Sequence, residues 1–391
     1  MAQQRATTPA PAAIPFARPA FGDAELAAVV DVLASGWLTS GPRVQAFERA
    51  FEDAFGVRHA VATNSCTAAL HLGLILSDVG AGDEVITTPL TFCATANVIV
   101  HTGATPVLAD IDPITWNLDP DAAQAAITPQ TRALLPVHYA GAPLAVSAFQ
   151  RMARRAGVRV IEDAAHGLGT VSDAGVVGTT ADFTAFSFYA TKNLSTGEGG
   201  MLTTADGELA ARARTLALHG MSRDAWKRYG PGGRAMYDVV EPGFKYNMMD
   251  IQAALGLEQL RQFAAMQARR AEIWRVYDEG LADLPLRLPA PVADGTTHAH
   301  HLFTVLVVPE VCGCSRDDLA AALAEAGIST SIHFRAIHLF SYYAERYGFR
   351  RGQFPQAEFV SDHTLSLPLS AAMTPAEAER VVETIRHRLG A

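Results

Sequence analysis

Cysteine is scarce in this chain. Four cysteines in 391 residues are too few and too scattered for the disulfide framework of a small secreted domain. Cys312 and Cys314 are separated by a single residue, whereas zinc pairs use two to four intervening residues, so the pair predicts no metal site. Long apolar runs are missing too: nothing approaches the roughly 18 consecutive apolar residues of a membrane span. The N-terminal stretch, rich in Ala and Pro, holds no continuous apolar core of the signal-peptide kind. It reads as a frayed end on a cytoplasmic protein. Basic charge is also short, with 31 Lys and Arg against 40 Asp and Glu and a net charge of -9. That balance argues against nucleic acid as the main partner, because phosphate binding needs clustered cations. An anionic substrate would need a local basic pocket.

What is present is an ordinary globular composition, 49% hydrophobic and 18% charged, on a chain long enough for two domains. Apolar, β-branched runs at 84–88, 105–110, 132–137, 158–161, 183–188 and 201–204 alternate with helical spacing at 68–77, 91–101, 119–127 and 145–156. This βαβα order predicts an α/β fold with a mainly parallel central sheet flanked by helices. After Pro242 and Gly243 a long helix-compatible run, 250–284, precedes a strand at 301–308 and helices at 317–326 and 375–389. The expected organisation is a flexible tail (1–15), a large cofactor-binding domain (16–250) and a smaller α+β C-terminal domain (251–391). The loop 219–245, rich in Gly, Arg and Tyr, is long enough to be functional.

The chemistry concentrates in 158–200. V-R-V-I-E-D-A-A-H ends a strand in Glu162 and Asp163, and F-T-A-F-S-F-Y-A-T-K-N ends another shortly before Lys192. Ligands of open α/β sheets sit beyond the carboxyl ends of strands. A Schiff-base lysine with a carboxylate opposite a pyridinium nitrogen is what pyridoxal 5'-phosphate (PLP) requires. Lys192, ahead of the turn Glu198-Gly199-Gly200, is therefore the candidate nucleophile rather than a solvated surface lysine. Asp163 either holds the cofactor's ring nitrogen protonated or caps a helix. His166 orients the cofactor's phenolic oxygen, stacks on its ring, or is a satisfied core histidine. Thr67, the Ala68 amide and Ser187 are candidate phosphate ligands, the first two because they open a helix. Phe92, after a strand, either stacks on the ring or packs in the core. The run His298-Ala299-His300-His301 looks like a metal tract but lacks nearby carboxylates, and a structural role is expected.

Together these pieces resemble the DegT/DnrJ/EryC1/StrS family of PLP-dependent sugar aminotransferases, from about residue 14 onward. The resemblance is carried by G-W-L-T-S-G-P, G-D-E-V-I-T-T-P-L-T-F, P-V-H-Y-A-G-A-P, E-D-A-A-H, F-S-F-Y-A-T-K-N, E-G-G and G-F-K-Y-N-M-M-D. It implies the type I aminotransferase fold, with Lys192 as the imine-forming lysine, Asp163 as pyridinium partner and His166 near the cofactor's oxygen. Thr67, Ala68 and Ser187 would contact the phosphate and Phe92 would stack on the ring. Asn247 would reach the phosphate of the neighbouring subunit's cofactor, which implies a homodimer with shared active sites.

H-Y-A-G-A-P, C-G-C-S-R-D and I-H-F-R-A-I-H are most similar to the branch that aminates UDP-4-keto-pentose with glutamate, the UDP-4-amino-4-deoxy-L-arabinose–oxoglutarate aminotransferases. His300 stands where that branch suggests an aromatic, and the loop 222–240 differs, which keeps a dTDP- or UDP-4-keto-6-deoxyhexose as an alternative substrate. Arg223, Lys245, His333 and Arg335 are the candidate contacts for a nucleotide diphosphate, each with a plain surface reading. A cyclitol ketone would use the same cofactor site. A sugar dehydratase of this fold would carry histidine in place of Lys192, and a non-catalytic sensor would need a basic recognition element that the chain does not offer.

Overall fold

The computed structural model describes residues 12–222 and 237–390. At its centre is a seven-stranded sheet in the order β1-β9-β8-β5-β4-β2-β3. Its strands are β1 (His59–Thr63), β2 (Glu84–Thr87), β3 (Thr105–Leu108), β4 (Thr131–Leu135), β5 (Arg159–Ala164), β8 (Phe183–Ser187) and β9 (Gly200–Thr204); β6 (Val171–Ser172) and β7 (Gly175–Val176) form a separate two-residue hairpin. All neighbours pair parallel except β9, which runs antiparallel to both β1 and β8. β9 therefore starts at the edge of the sheet where β1, β2, β5 and β8 end. Every loop that carries a candidate residue opens on that one edge.

The sequence explains the layers. α3 (Cys66–Leu76), C-T-A-A-L-H-L-G-L-I-L, is apolar nearly all round because it packs beneath the sheet against β5, β8 and β9 with α4 (Cys93–His101) beside it. A helix with no polar face belongs in an interior. On the opposite face Phe47 and Phe51 from α2 (Pro42–Phe55) meet Phe186 and Phe188 edge to face, with ring centroids 5.3 to 6.0 Å apart. Each ring buried there contributes on the order of 2 kcal/mol of apolar transfer.

The long helix Asp250–Leu281 is one uninterrupted element that joins two cores. Its first half presents Ala253, Leu257 and Phe263 to the Phe47 cluster, and its second half presents Ile273, Tyr277 and Leu281 to a second cluster around Phe303, Val305 and Val381. Gly256 allows the close approach: a Cβ there would lie 2.6 Å from the Phe47 ring. The second cluster covers a two-stranded antiparallel sheet, β10 (Phe303–Leu306) and β11 (Thr364–Leu367). Packing thus changes hands midway along the helix rather than at residue 250.

The tail expected to fray up to residue 15 is anchored earlier. Ile14 is 1% exposed, donates its N–H to Gly327 O (2.8 Å) and accepts from Ser329 N–H (2.9 Å). Two backbone bonds to residues more than 300 positions along the chain, plus burial in the second core, hold it there. Among the described residues no helix is long and apolar enough to cross a membrane.

Candidate active site

β5 alternates its carboxylates to opposite faces, and only one serves the site. Glu162 is fully buried away from it, accepting hydroxyl protons from Thr180 (3.1 Å) and Thr184 (3.0 Å) with His138 Nε2 at 3.8 Å. Asp163 faces the sheet edge, where Oδ1 accepts the Ala165 N–H (3.0 Å) and Oδ2 accepts the Thr95 hydroxyl (2.7 Å). Burial pushes its carboxyl above the usual range, and these two donors, Lys192 and His138 pull back. A carboxylate in that position is primed to accept a charge-bearing N–H.

Lys192 sits in the turn that closes β8, with its N–H on Tyr189 O (2.9 Å). Asn193 fastens that turn: Nδ2 donates to Ala299 O (2.7 Å) and Oδ1 meets His301 Nδ1 (2.9 Å). Desolvation lowers the Lys192 pKa to about 8, with the Arg270 charge pushing the same way and Cys66 and Asp163 opposing. A neutral amine, the form that attacks a carbonyl, is thus accessible near neutrality. His166 is held neutral, its pKa driven far down by burial first and then by Lys192 and His333. Its Nδ1 accepts the Ala140 N–H (3.3 Å), so the ring proton resides on Nε2, available as a donor.

Lys192, Asp163, His166, Thr67, Ser187 and Phe92 line one cavity of about 580 Å³. Phe92 is 59% exposed, so it is not a core aromatic. The floor is tight where β9 begins, since a Cβ on Gly200 would lie 2.5 Å from the Ser65 carbonyl carbon. The Ala68 amide donates to Ser65 Oγ (3.1 Å), which caps α3, and Ala68 stands behind the lining residues Ser65, Cys66 and Thr67. Capping satisfied that donor first.

The four nominated cations fare differently. His333 lines the cavity, yet its Nδ1 is engaged with Ser366 Oγ (2.9 Å) and burial lowers its pKa to about 3, so it offers no charge. Arg335 lies outside the lining, donating to Leu339 O (2.6 Å) over the Phe340 ring. Lys245 is exposed and does not line the cavity either. Arg223 lies outside the described residues. Asn247 lines a different cavity, of about 430 Å³, with Nδ2 on Ser40 Oγ (2.6 Å). The histidine tract is packed as structure: the rings of His298 and His300 lie 4.5 and 4.9 Å from Trp274, and His301 stands 4.3 Å from His166.

Sequence reasoning overlooked Thr91, Thr95 and Phe334. Thr95 and Phe334 line the cavity, and Thr91 backs Thr95. Hydroxyls four residues apart at the start of a helix, in T-F-C-A-T, were the available signal for the threonines.

The donor set fits PLP. A desolvated amine, a buried carboxylate, a neutral imidazole donor, two hydroxyls and an exposed aromatic surround one space large enough for a substituted pyridine. This combination defines a PLP-dependent enzyme. Comparison with known proteins narrows the class. Residues 19–386 match the DegT/DnrJ/EryC1/StrS aminotransferase family. The spore coat polysaccharide biosynthesis protein SpsC of Bacillus subtilis is 47% identical over 95% of this chain and 96% of its own length. The putative sugar aminotransferase Spr1654 from Streptococcus pneumoniae, in its PLP form, superposes with a TM-score of 0.89 at 33% identity, covering 97% of this chain and 99% of that one. DesV from S. venezuelae, in complex with a ketimine intermediate, gives 0.85 at 35% identity over 94% of each chain. The chain belongs to the DegT/DnrJ/EryC1/StrS aminotransferase family and is a PLP-dependent sugar aminotransferase of the type I fold.

Proposed function

We propose that this enzyme moves the amino group of glutamate onto the C4 keto carbon of a nucleotide-diphosphate sugar, with UDP-4-keto-pentose the first candidate and a dTDP- or UDP-4-keto-6-deoxyhexose the second. The observation that carries the reading is the single cavity shared by Lys192, Asp163 and His166. A glycan destination is supported by the 47% identity to a protein named for spore coat polysaccharide biosynthesis. When bound, PLP supplies an aldehyde to carry nitrogen and a ring that withdraws electrons.

The side chains divide the remaining work. Lys192 Nζ anchors the cofactor and then moves the proton on and off the substrate carbon that bears nitrogen. Asp163 holds the ring nitrogen protonated. His166 donates from Nε2 toward the phenolic oxygen, Phe92 covers the ring, and Thr67 and Ser187 take the phosphate. Asn247, set apart from this cavity within its own chain, serves the cofactor of a second subunit, so the working unit is a homodimer. Lys245, two residues away, approaches the anionic substrate with it, and Arg223 is a further candidate on sequence grounds.

An assay panel tests the reading. Glutamate-dependent amination of UDP-4-keto-pentose and of dTDP- and UDP-4-keto-6-deoxyhexoses is measured beside a cyclitol ketone. Turnover of one nucleotide sugar above the rest is expected. Turnover of the cyclitol ketone alone would replace the nucleotide-sugar assignment.

A further inference from the structure

Two threonines at the start of α4 do nothing for the helix they introduce. That helix has Phe92 at its N-cap and no side-chain cap, although a threonine hydroxyl is well suited to capping. Thr95 instead turns its hydroxyl onto Asp163, 2.7 Å from Oδ2, and the Thr91 hydroxyl lies 2.8 Å from that of Thr95. All three are buried, with exposures of 2% for Thr91, 0% for Thr95 and 4% for Asp163. Thr95 has one hydroxyl proton and gives it to the carboxylate. The proton between the two threonines therefore belongs to Thr91, and the chain runs Thr91 to Thr95 to Asp163 Oδ2. Consecutive hydrogen bonds polarise one another, and a bond to an ionised acceptor is about twice as strong as a neutral one.

We infer that Thr95, backed by Thr91, is a positioning residue for the cofactor: the directed hydroxyl chain keeps the Asp163 carboxylate ionised and turned toward the ring nitrogen. The inference rests on Asp163 being that nitrogen's partner. Burial alone drives the carboxyl toward its protonated form, and a protonated Asp163 would present a donor to a nitrogen that must itself donate. The titratable groups facing Asp163 are Lys192, His138 and Cys66. Desolvation moves Lys192 toward neutrality and Cys66 away from ionisation. Fixed dipoles, the Thr95 hydroxyl and the Ala165 amide, are the part of the surroundings that does not titrate.

The test uses holoenzyme loaded with PLP labelled with ¹⁵N at the ring nitrogen. The nitrogen chemical shift reports ring protonation, and titration of apoprotein with PLP gives Kd. Wild type is expected to hold a protonated ring. Thr95→Val should move the shift to the unprotonated position and raise Kd by ~10-fold or more, the loss of one charge-assisted hydrogen bond. Thr95→Ser should restore both readouts, which a merely space-filling role would not require. Thr91→Val, which keeps the Thr95 bond but removes the donor behind it, should act in the same direction by ~3-fold; it carries the test if Thr95→Val does not fold. A folded Thr95→Val with a protonated ring and unchanged Kd overturns the inference, as does a silent Thr91→Val should Thr95→Val be unfolded. Asp163→Asn runs in parallel: if its ring stays protonated, the pairing of Asp163 with the ring nitrogen fails, whereas a deprotonated ring there with a silent Thr95→Val condemns the threonine chain alone.

Discussion

The two ends of the cavity are built to different standards. The sheet end is complete: each oxygen of Asp163 has a donor, His166 has its tautomer set by a backbone N–H, and the Lys192 turn is pinned through Asn193. The other end, lined by Ser331, Ile332, His333 and Phe334, contributes no ionised group among these four residues. Among the described residues Lys192 is the one Lys or Arg in the lining, so what the cavity displays is equipment for the cofactor. The sheet end depends on hydrogen bonds among strand-end turns, loops and the start of α4, all within one chain. At the other end the proposed substrate contacts Lys245 and Arg335 lie outside the lining, and the proposed second subunit would be the source of what that end lacks.

The contrast breaks most easily at Lys192. Lys192→Ala should lower turnover by roughly 10³-fold or more, since one group serves as both covalent anchor and proton carrier. Borohydride reduction of wild-type holoenzyme should fix PLP to a peptide containing residue 192 and leave none fixed in the variant. Near-normal turnover by Lys192→Ala would remove the basis for the whole sheet-end assignment. Next in size is Gly200→Ala, whose Cβ meets the Ser65 and Cys66 backbone at 2.5 and 2.6 Å. Backbone cannot rotate away as a side chain can, so denaturant unfolding should show a loss of about 3 kcal/mol, with weakened PLP binding. An unperturbed Gly200→Ala would mean that the floor of the site is pliable.

A third experiment sharpens the difference through pH. Only the neutral Lys192 amine attacks the cofactor aldehyde, and its pKa is lowered to about 8. The rate of PLP capture by apoprotein should therefore rise ~10-fold per pH unit below that value and level off above it. The same sign governs stability: a lysine with a depressed pKa binds its proton less well folded than unfolded, so its contribution becomes less unfavourable as pH rises through about 8 toward the unfolded value. A capture rate still climbing steeply at pH 10 would show an amine in its ordinary aqueous state.

Much of this is legible in the sequence. The βαβα alternation, the strands that end beside Asp163 and shortly before Lys192, and the helix opening at Thr67 follow from apolar periodicity and punctuation, because a parallel sheet buries whole strands. Lysine itself is a strong signal: the chain has three, Lys192, Lys227 and Lys245, so a solubilising role for Lys192 is not the ordinary background. What stayed hidden depends on long-range register. Strand β1, short and alanine-rich, pairs with β9 far along the chain. The Ala68 amide reads as free until Ser65 is seen folded back on it. Neutral His333 reads as a cation until burial and Ser366 are in view.

The smallest expected effect is the most pointed for the comparison. Arg335 is exposed and adjacent in sequence to the cavity-lining Phe334, so sequence alone makes it a natural diphosphate ligand. In the structure its guanidinium is occupied by the Leu339 carbonyl and lies 5.2 Å from the Phe340 ring centroid. Leaving that arrangement would forfeit a charge-assisted hydrogen bond and a cation–π contact, together about 2 kcal/mol, before any gain from substrate. Arg335→Ala should change KM for the proposed nucleotide sugar by less than ~2-fold, while Lys245→Ala, whose ammonium makes no comparable commitment among the described residues, should raise it by ~5-fold with kcat little altered, as expected for uniform binding. Mixed dimers of Lys245→Ala and Lys192→Ala subunits sharpen the point. If Lys245 serves the other subunit's cavity, the intact Lys192 in such a dimer is paired with an intact Lys245, and KM returns to the wild-type value at half the site number. A raised KM in the mixed dimer would place Lys245 in its own subunit's site and close the gap between the two ends of the cavity.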